Sequence, residues 1–132
     1  MNDRASGTFT VTMQPQGEAE TAEGSSLGRM SLDKQFAGDL VAVGKGTMLT
    51  ALTGVNGSAG YVAIERVTGT LHGRQGSFVF QHNGLMNRGA QQLAIVVVPD
   101  SGTGQLTGLA GVFTLTIVEG KHQYTFDYAL PD

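Results

Sequence analysis

The chain has 132 residues, 40% hydrophobic and 14% charged, with 20 glycines and no cysteine or tryptophan, a size that fits one domain. Glycine exceeds its usual share of roughly 7% and charge falls below the usual roughly 25%, yet the apolar content is ordinary and the glycines follow no repeat, which excludes collagen, coiled coil and disorder. The lack of cysteine excludes a disulfide scaffold, a thiolate metal site and a cysteine nucleophile, and a net charge of -3 with dispersed Lys and Arg is the wrong balance for a phosphate-binding face, so no nucleic acid is expected.

No apolar run approaches the roughly 20 residues of a membrane helix, and MNDRASGTFT at the amino terminus lacks the apolar centre of a signal peptide. A cytoplasmic protein without membrane contact is therefore expected. Helical periodicity is nearly absent; Thr, Val, Phe and Tyr instead alternate in runs broken by Gly, Asn, Asp and Ser, which is an all-β pattern.

Residues 1–6 read as a flexible lead-in. In GTFTVTM (7–13), Phe9 and Val11 alternate with Thr8, Thr10 and Thr12, as in a strand with one dry face. Residues 14–24 (QPQGEAETAEG) are acidic and poor in apolar groups, which predicts a solvated connection. Strands are predicted over 27–36 and 40–53 with Ala37, Gly38 and Asp39 in the turn. Gly44 and Gly46 interrupt the second; interior glycines imply a bend or a close approach of backbone. VNGS at 55–58 reads as a turn.

A hairpin of 61–72 with 77–83 across GRQG (73–76) predicts Leu71 opposite Phe78 and Val67 opposite His82, with Thr68, Thr70, Gln81 and Val79 on the reverse face. A one-residue slip would expose Phe78 and Phe80 at about 1.5–3 kcal/mol each. Strand 92–98 supplies Leu93, Ile95 and Val97, and the run VVV at 96–98 suggests cover on both faces, as in a homo-oligomer. The last hairpin, 111–119 with 121–130 around Glu119 and Gly120, sets Phe113, Leu115 and Ile117 on one face with Tyr124, Phe126 and Tyr128. About eight strands with one apolar face predict a single antiparallel β-barrel over 1–132, with a sandwich as the alternative.

Four segments carry a resemblance: KQFAGDL (34–40), GYVAIERVTGTLHGRQGSFVFQH (60–82), PDSGTGQLTGLAG (99–111) and GKHQYTFDYALP (120–131). Together, in order over nearly the whole chain, they resemble the bacterial domain-of-unknown-function family 3224 (DUF3224). The resemblance implies an allene-oxide-cyclase-like barrel, a group whose cavities hold small, mostly apolar substrates. It carries no catalytic residue by motif. VAVGKGTM at 41–48 departs from the more polar stretch expected after KQFAGDL.

Strict alternation puts Tyr61, Glu65 and His82 on the same dry face as Leu71, Phe78 and Phe80. Glu65 and His82 are diagonal neighbours within side-chain reach. Burial disfavours both charged forms while mutual attraction opposes that, which brings proton transfer near neutral pH within reach. The pair reads either as a structural brace or as an acid/base pair, and Tyr61, about 13 Å along the strand from Glu65, either packs or orients a ligand. His72 and His122 lie near turns and have no metal-ligand spacing, so no metal is expected. The glycines at 102, 104, 108 and 111 lack the GxGxxG spacing and precede a strand, so they read as turns. Met48 and Met86 suit an adaptable pocket or a core.

Two functions follow. The first is a small-molecule-binding barrel without cofactor, with Glu65 and His82 as candidate catalytic residues and Tyr61, Phe78, Phe80, Phe113, Tyr124, Phe126 and Tyr128 as the ligand-binding lining; its chemistry would be isomerisation or cyclisation. The second is a filled barrel that acts through self-association. A cavity above roughly 300 Å³ favours the first, a packed interior the second.

Overall fold

The alternation that runs along the chain produces strands that close on themselves. The computed structural model describes residues 2–131; Met1 and Asp132, both included in the expected single domain, lie outside the described residues. In chain order the strands are β1 (Asn2–Pro15), β2 (Glu20–Ala22), β3 (Ser25–Gly38), β4 (Leu40–Thr53), β5 (Ala59–Leu71), β6 (Arg74–Asn87), β7 (Ala90–Val97), β8 (Ala110–Val118) and β9 (Lys121–Ala129), with one short 3-10 turn at Gly104–Leu106 between β7 and β8. The order β1-β9-β8-β7-β6-β5-β4-β3, with β1 also paired to β3, is a closed eight-stranded antiparallel barrel, and β2 is an extra strand on the far end of β3. The all-β barrel expected from alternation is the observed fold. Among the described residues no helix is long and apolar enough to cross a membrane.

Two expected loops are partly strand. Residues 2–6, expected as a lead-in, form the first part of β1 and pair with β9, where Ala5 sits opposite Phe126 and is fully buried. Within the acidic stretch 14–24, Glu20–Ala22 folds back on β3 through a turn at Glu23 and Gly24, both with positive φ.

The β5–β6 hairpin corrects the predicted register. His72 and Gly73 both take left-handed backbone conformations, φ 47° and 78°, which make a two-residue turn whose twist matches the flanking strands. Pairing therefore begins at Leu71–Arg74, and Phe78 faces Val67 rather than Leu71; His82 faces Ala63 rather than Val67. The slip is even, so every side chain keeps its predicted face. In the β8–β9 hairpin the turn at Glu119 and Gly120 keeps the expected face, and pairs Phe113 with Phe126 and Leu115 with Tyr124.

The barrel interior is divided along its axis. At the end bearing the β3–β4 and β5–β6 turns, Leu40, Leu71, Phe78, Phe80, Phe113, Tyr124, Phe126 and Tyr128 are buried, and Leu106 and Leu109 from the β7–β8 connection close the end. Rings meet directly, with centroids 4.9 Å apart for Phe80–Phe113, 5.0 Å for Phe78–Phe80 and 5.2 Å for Phe113–Tyr124, and such pairs add to the burial of their area. The Tyr124 hydroxyl accepts from the Leu40 amide and donates to the Ala37 carbonyl, each at 2.9 Å. A Cβ at Gly7 would collide with that hydroxyl.

The opposite end is open. Leu93 and Ile117 have the inward parity predicted for them, yet they are 41% and 62% exposed, because they sit on strand ends beyond the filled layer. Among the described residues β7 and β8 pair only at Ile95–Phe113 and Val96–Val112, so the wall splays beside the mouth. The expected cover on both faces of 96–98 is uneven: Val97 is buried inside, and Val96 is exposed on the outer wall.

This division predicts very different costs for two truncations. Phe126→Ala should lower unfolding free energy by about 3–5 kcal/mol in urea titration, and Ile117→Ala should change it by no more than about 0.5 kcal/mol. Comparable losses would show that the mouth is packed like the floor.

Candidate functional site

Above the aromatic floor, three ionisable side chains from three strands meet inside the barrel. Glu65 on β5 points inward, fully buried; His82 on β6 is its diagonal neighbour, since His82 pairs with Ala63. Lys34 on β3 reaches the same carboxylate across the intervening strand β4. Gly44 and Gly46 of β4 make this possible. A Cβ at 44 would overlap the Glu65 carboxylate, and one at 46 would strike the Glu65 main chain and Cβ. The interior glycines are thus a close approach, one of the two options their positions suggested.

The carboxylate oxygen Oε1 is shared. Lys34 Nζ donates to it at 3.1 Å and His82 Nε2 at 2.8 Å. Burial by itself pushes the Glu65 carboxyl up, but the His82 hydrogen bond and the Lys34 charge outweigh it and hold the group below the ordinary glutamate value. The Lys34 ammonium also lies 5.1 Å from the Phe9 ring centroid and 5.8 Å from that of Phe36, a cation over ring faces in a dry setting. The second oxygen, Oε2, has no hydrogen-bond partner among the described residues.

Tyr61 extends this network toward the mouth. Its hydroxyl lies 3.4 Å from His82 Nδ1, although the spacing along β5 suggested it would serve the far end of a ligand. With the imidazole neutral, the network fixes its tautomer: an ionised carboxylate only accepts, so Nε2 carries the proton, and Nδ1 accepts from the Tyr61 hydroxyl. Burial, and secondarily the Glu65 charge, push the Tyr61 phenol up, so the hydroxyl keeps its proton. Gly84 on β6, opposite Tyr61, leaves the space that the ring occupies; a Cβ there would overlap it.

Tyr61 also lines a cavity of about 230 Å³ at the open end, with Met48, Thr50, Leu52, Met86 and Leu93. Its walls are mainly apolar. The volume is below the roughly 300 Å³ at which drug-sized pockets begin, and it lies above a packed floor, so the interior is neither wholly filled nor wholly open. Of the residues expected as lining, Tyr61 borders this cavity; Phe78, Phe80, Phe113, Tyr124, Phe126 and Tyr128 pack on one another below it. Met48 and Met86 are wall residues of the cavity.

Lys34 escaped the sequence reading. Its signal was parity: it alternates inward between Leu32 and Phe36, both buried. A second polar group lies at the closed end, where His72 Nδ1 and the Tyr128 hydroxyl share a hydrogen bond and His72 Nε2 is 3.6 Å from Asp39 Oδ2. His122 packs on Phe9, centroids 5.0 Å apart. Ser77 bonds to Thr103 and faces Thr68, away from His72. Arg66 and Arg74 are exposed. Among the described residues no three His, Asp or Glu side chains converge as a metal site would require.

The sequence profile of DUF3224, described as a protein of unknown function, matches residues 5–128. The crystal structure of a protein of unknown function from that family, from Shewanella oneidensis MR-1, is similar with a TM-score of 0.95 and 48% identity over 100% of this chain and 99% of that one. No curated protein matches the chain.

The buried charges make a coupled prediction. Glu65→Gln leaves the Lys34 ammonium without a counter-charge and should destabilise the fold by about 3–5 kcal/mol at pH 7, and Lys34→Met combined with Glu65→Gln should recover most of that. Because the folded carboxyl lies below its unfolded value, its contribution is present above the unfolded pKa, about 4.3, and is lost as pH falls through the folded one. Urea titrations from pH 7 to pH 3 check both; additive losses in the double variant would contradict the coupling.

Proposed function

The chain belongs to the DUF3224 family, whose function is unknown, and on that premise we propose that it binds a small, mostly apolar molecule in the open mouth of the barrel. One observation carries the reading: Tyr61 borders the apolar cavity and its hydroxyl contacts a buried His82–Glu65–Lys34 relay. A solvated tyrosine would need no such support. Met48, Leu52, Met86 and Leu93 supply adaptable apolar contact, and the six aromatic residues below form a floor on which the His82 ring rests, its centroid 6.4 Å from that of Phe80. If the bound molecule reacts, the relay suits cofactor-free proton transfer, and hence isomerisation or cyclisation, with His82 in the acid/base role and Glu65 acting through it.

Self-association is supported by a separate feature. Leu49, Val62, Ile64 and Leu85 are exposed side by side on the outer wall of β4, β5 and β6, and contiguous exposed apolar surface commonly marks an interface. The two readings occupy opposite faces of the same wall and are compatible.

An environment-sensitive apolar dye should bind the mouth, and Thr50→Trp, which fills it, should weaken binding by at least about tenfold, or about 1.4 kcal/mol. Dye affinity that is the same in both proteins would place the dye on the outer wall and remove the mouth as the site. Val62→Lys with Ile64→Lys should leave the dye in the mouth and reduce the mass measured by sedimentation to that of one chain.

A further inference from the structure

Resting on the mouth as the binding site, we infer that its ligand carries an acidic hydroxyl on an apolar body, a phenol or an enol, whose O–H donates to Tyr61 and gives up its proton there as Tyr61 passes its own to His82. The direction of each hydrogen bond leads there. Glu65, ionised and bonded by Lys34 Nζ at 3.1 Å, can only accept from His82 Nε2 at 2.8 Å. In the neutral imidazole Nδ1 is then an acceptor, and the group that faces it is the Tyr61 hydroxyl. The single proton of Tyr61 is thus engaged inward. What Tyr61 offers the cavity is its oxygen lone pairs, so a ligand that also presents only lone pairs, a ketone or an ether, meets an unmatched acceptor, whereas a hydroxyl meets a partner. The apolar walls at Met48, Leu52, Met86 and Leu93 select the body of the molecule, and Tyr61 selects its head.

The relay also gives the proton somewhere to go. The ligand O–H bond breaks and its proton binds the Tyr61 oxygen, while the original Tyr61 proton moves to His82 Nδ1. The ligand oxygen keeps the electron pair of the broken bond, Tyr61 ends as it began, and His82 becomes an imidazolium against the Glu65 carboxylate. Charge is conserved, since the ligand anion and the imidazolium arise together. A phenol would be held as a phenolate and an enol as an enolate, and the enolate is the form able to take a proton back at carbon. Glu65 and Lys34 are positioning residues in this scheme, acting through His82.

The probe pair is 4-nitrophenol and 4-nitroanisole, which share a body and differ in the donor. In the intact chain the phenol should bind at least about tenfold tighter than the ether, and at a pH where the free phenol is mostly neutral the bound fraction should show the phenolate absorption band. Tyr61→Phe, which deletes only the hydroxyl and keeps the ring packed on Gly84, should equalise the two affinities and abolish the band shift. Equal affinities in the unaltered chain, a preference that survives Tyr61→Phe, or a bound phenol that stays neutral would each overturn the inference. Failure here is separable from failure of the mouth as a site: if the apolar dye still binds in a manner blocked by Thr50→Trp, the cavity reading stands and only the hydroxyl specificity falls.

Discussion

Lys34 and Glu65 share one dry interior, and neither charge is tolerable there without the other. An isolated ion moved into such a setting costs several kcal/mol even after relaxation, and a buried pair breaks even only with good geometry and further hydrogen bonds. Here the 3.1 Å contact, the second donor His82 and the faces of Phe9 and Phe36 supply those conditions. The pair dictates its surroundings in turn. Strand β4 lies between its members, and only glycine at 44 lets the carboxylate pass. Apolar residues of equal volume would fill the same space at no such cost, so the group is a costly way to hold strands together at this level of the barrel.

Placement of that group at the boundary between the filled and the open half is what connects it, through Tyr61, to the cavity at the mouth. One layer lower, among Phe78, Phe80, Phe113 and Phe126, it would be sealed; one layer higher, water would screen it. Tyr61 bridges the boundary, with its ring packed over Gly84 and its hydroxyl turned to His82. The aromatic floor thus serves the site indirectly, by excluding solvent from below.

Much of this was legible in the chain. Alternation in 61–72 and 77–83 placed Glu65 and His82 on one dry face, and that conclusion survived an error in pairing because the turn at His72 and Gly73 displaced the register by an even number of residues. The turn itself was missed because GRQG (73–76), with a glycine at each end, offered a longer loop just beyond the two residues, His72 and Gly73, that make it. Glu119–Gly120 was the clearer signal, and there the faces came out as predicted. Lys34 was missed for a different reason: its partner is two strands away, and the contact exists through side chains that β4 lacks. Nor does alternation state how far a strand projects past its packed layer, which is why Leu93 and Ile117 read as core and yet stand at the rim.

The two-rung junction between β7 and β8 gives the wall a soft spot beside the cavity. With so few cross-strand amide bonds to break, the stretches 90–94 and 114–118 are the part of the barrel that can part at least energetic cost, ahead of any global unfolding. If the mouth binds as proposed, an aperture hinged in this way would not be limited to what fits its resting volume: it would spread sideways around a bulkier guest, leaving selectivity to the head group held below and the size of the tail permissive.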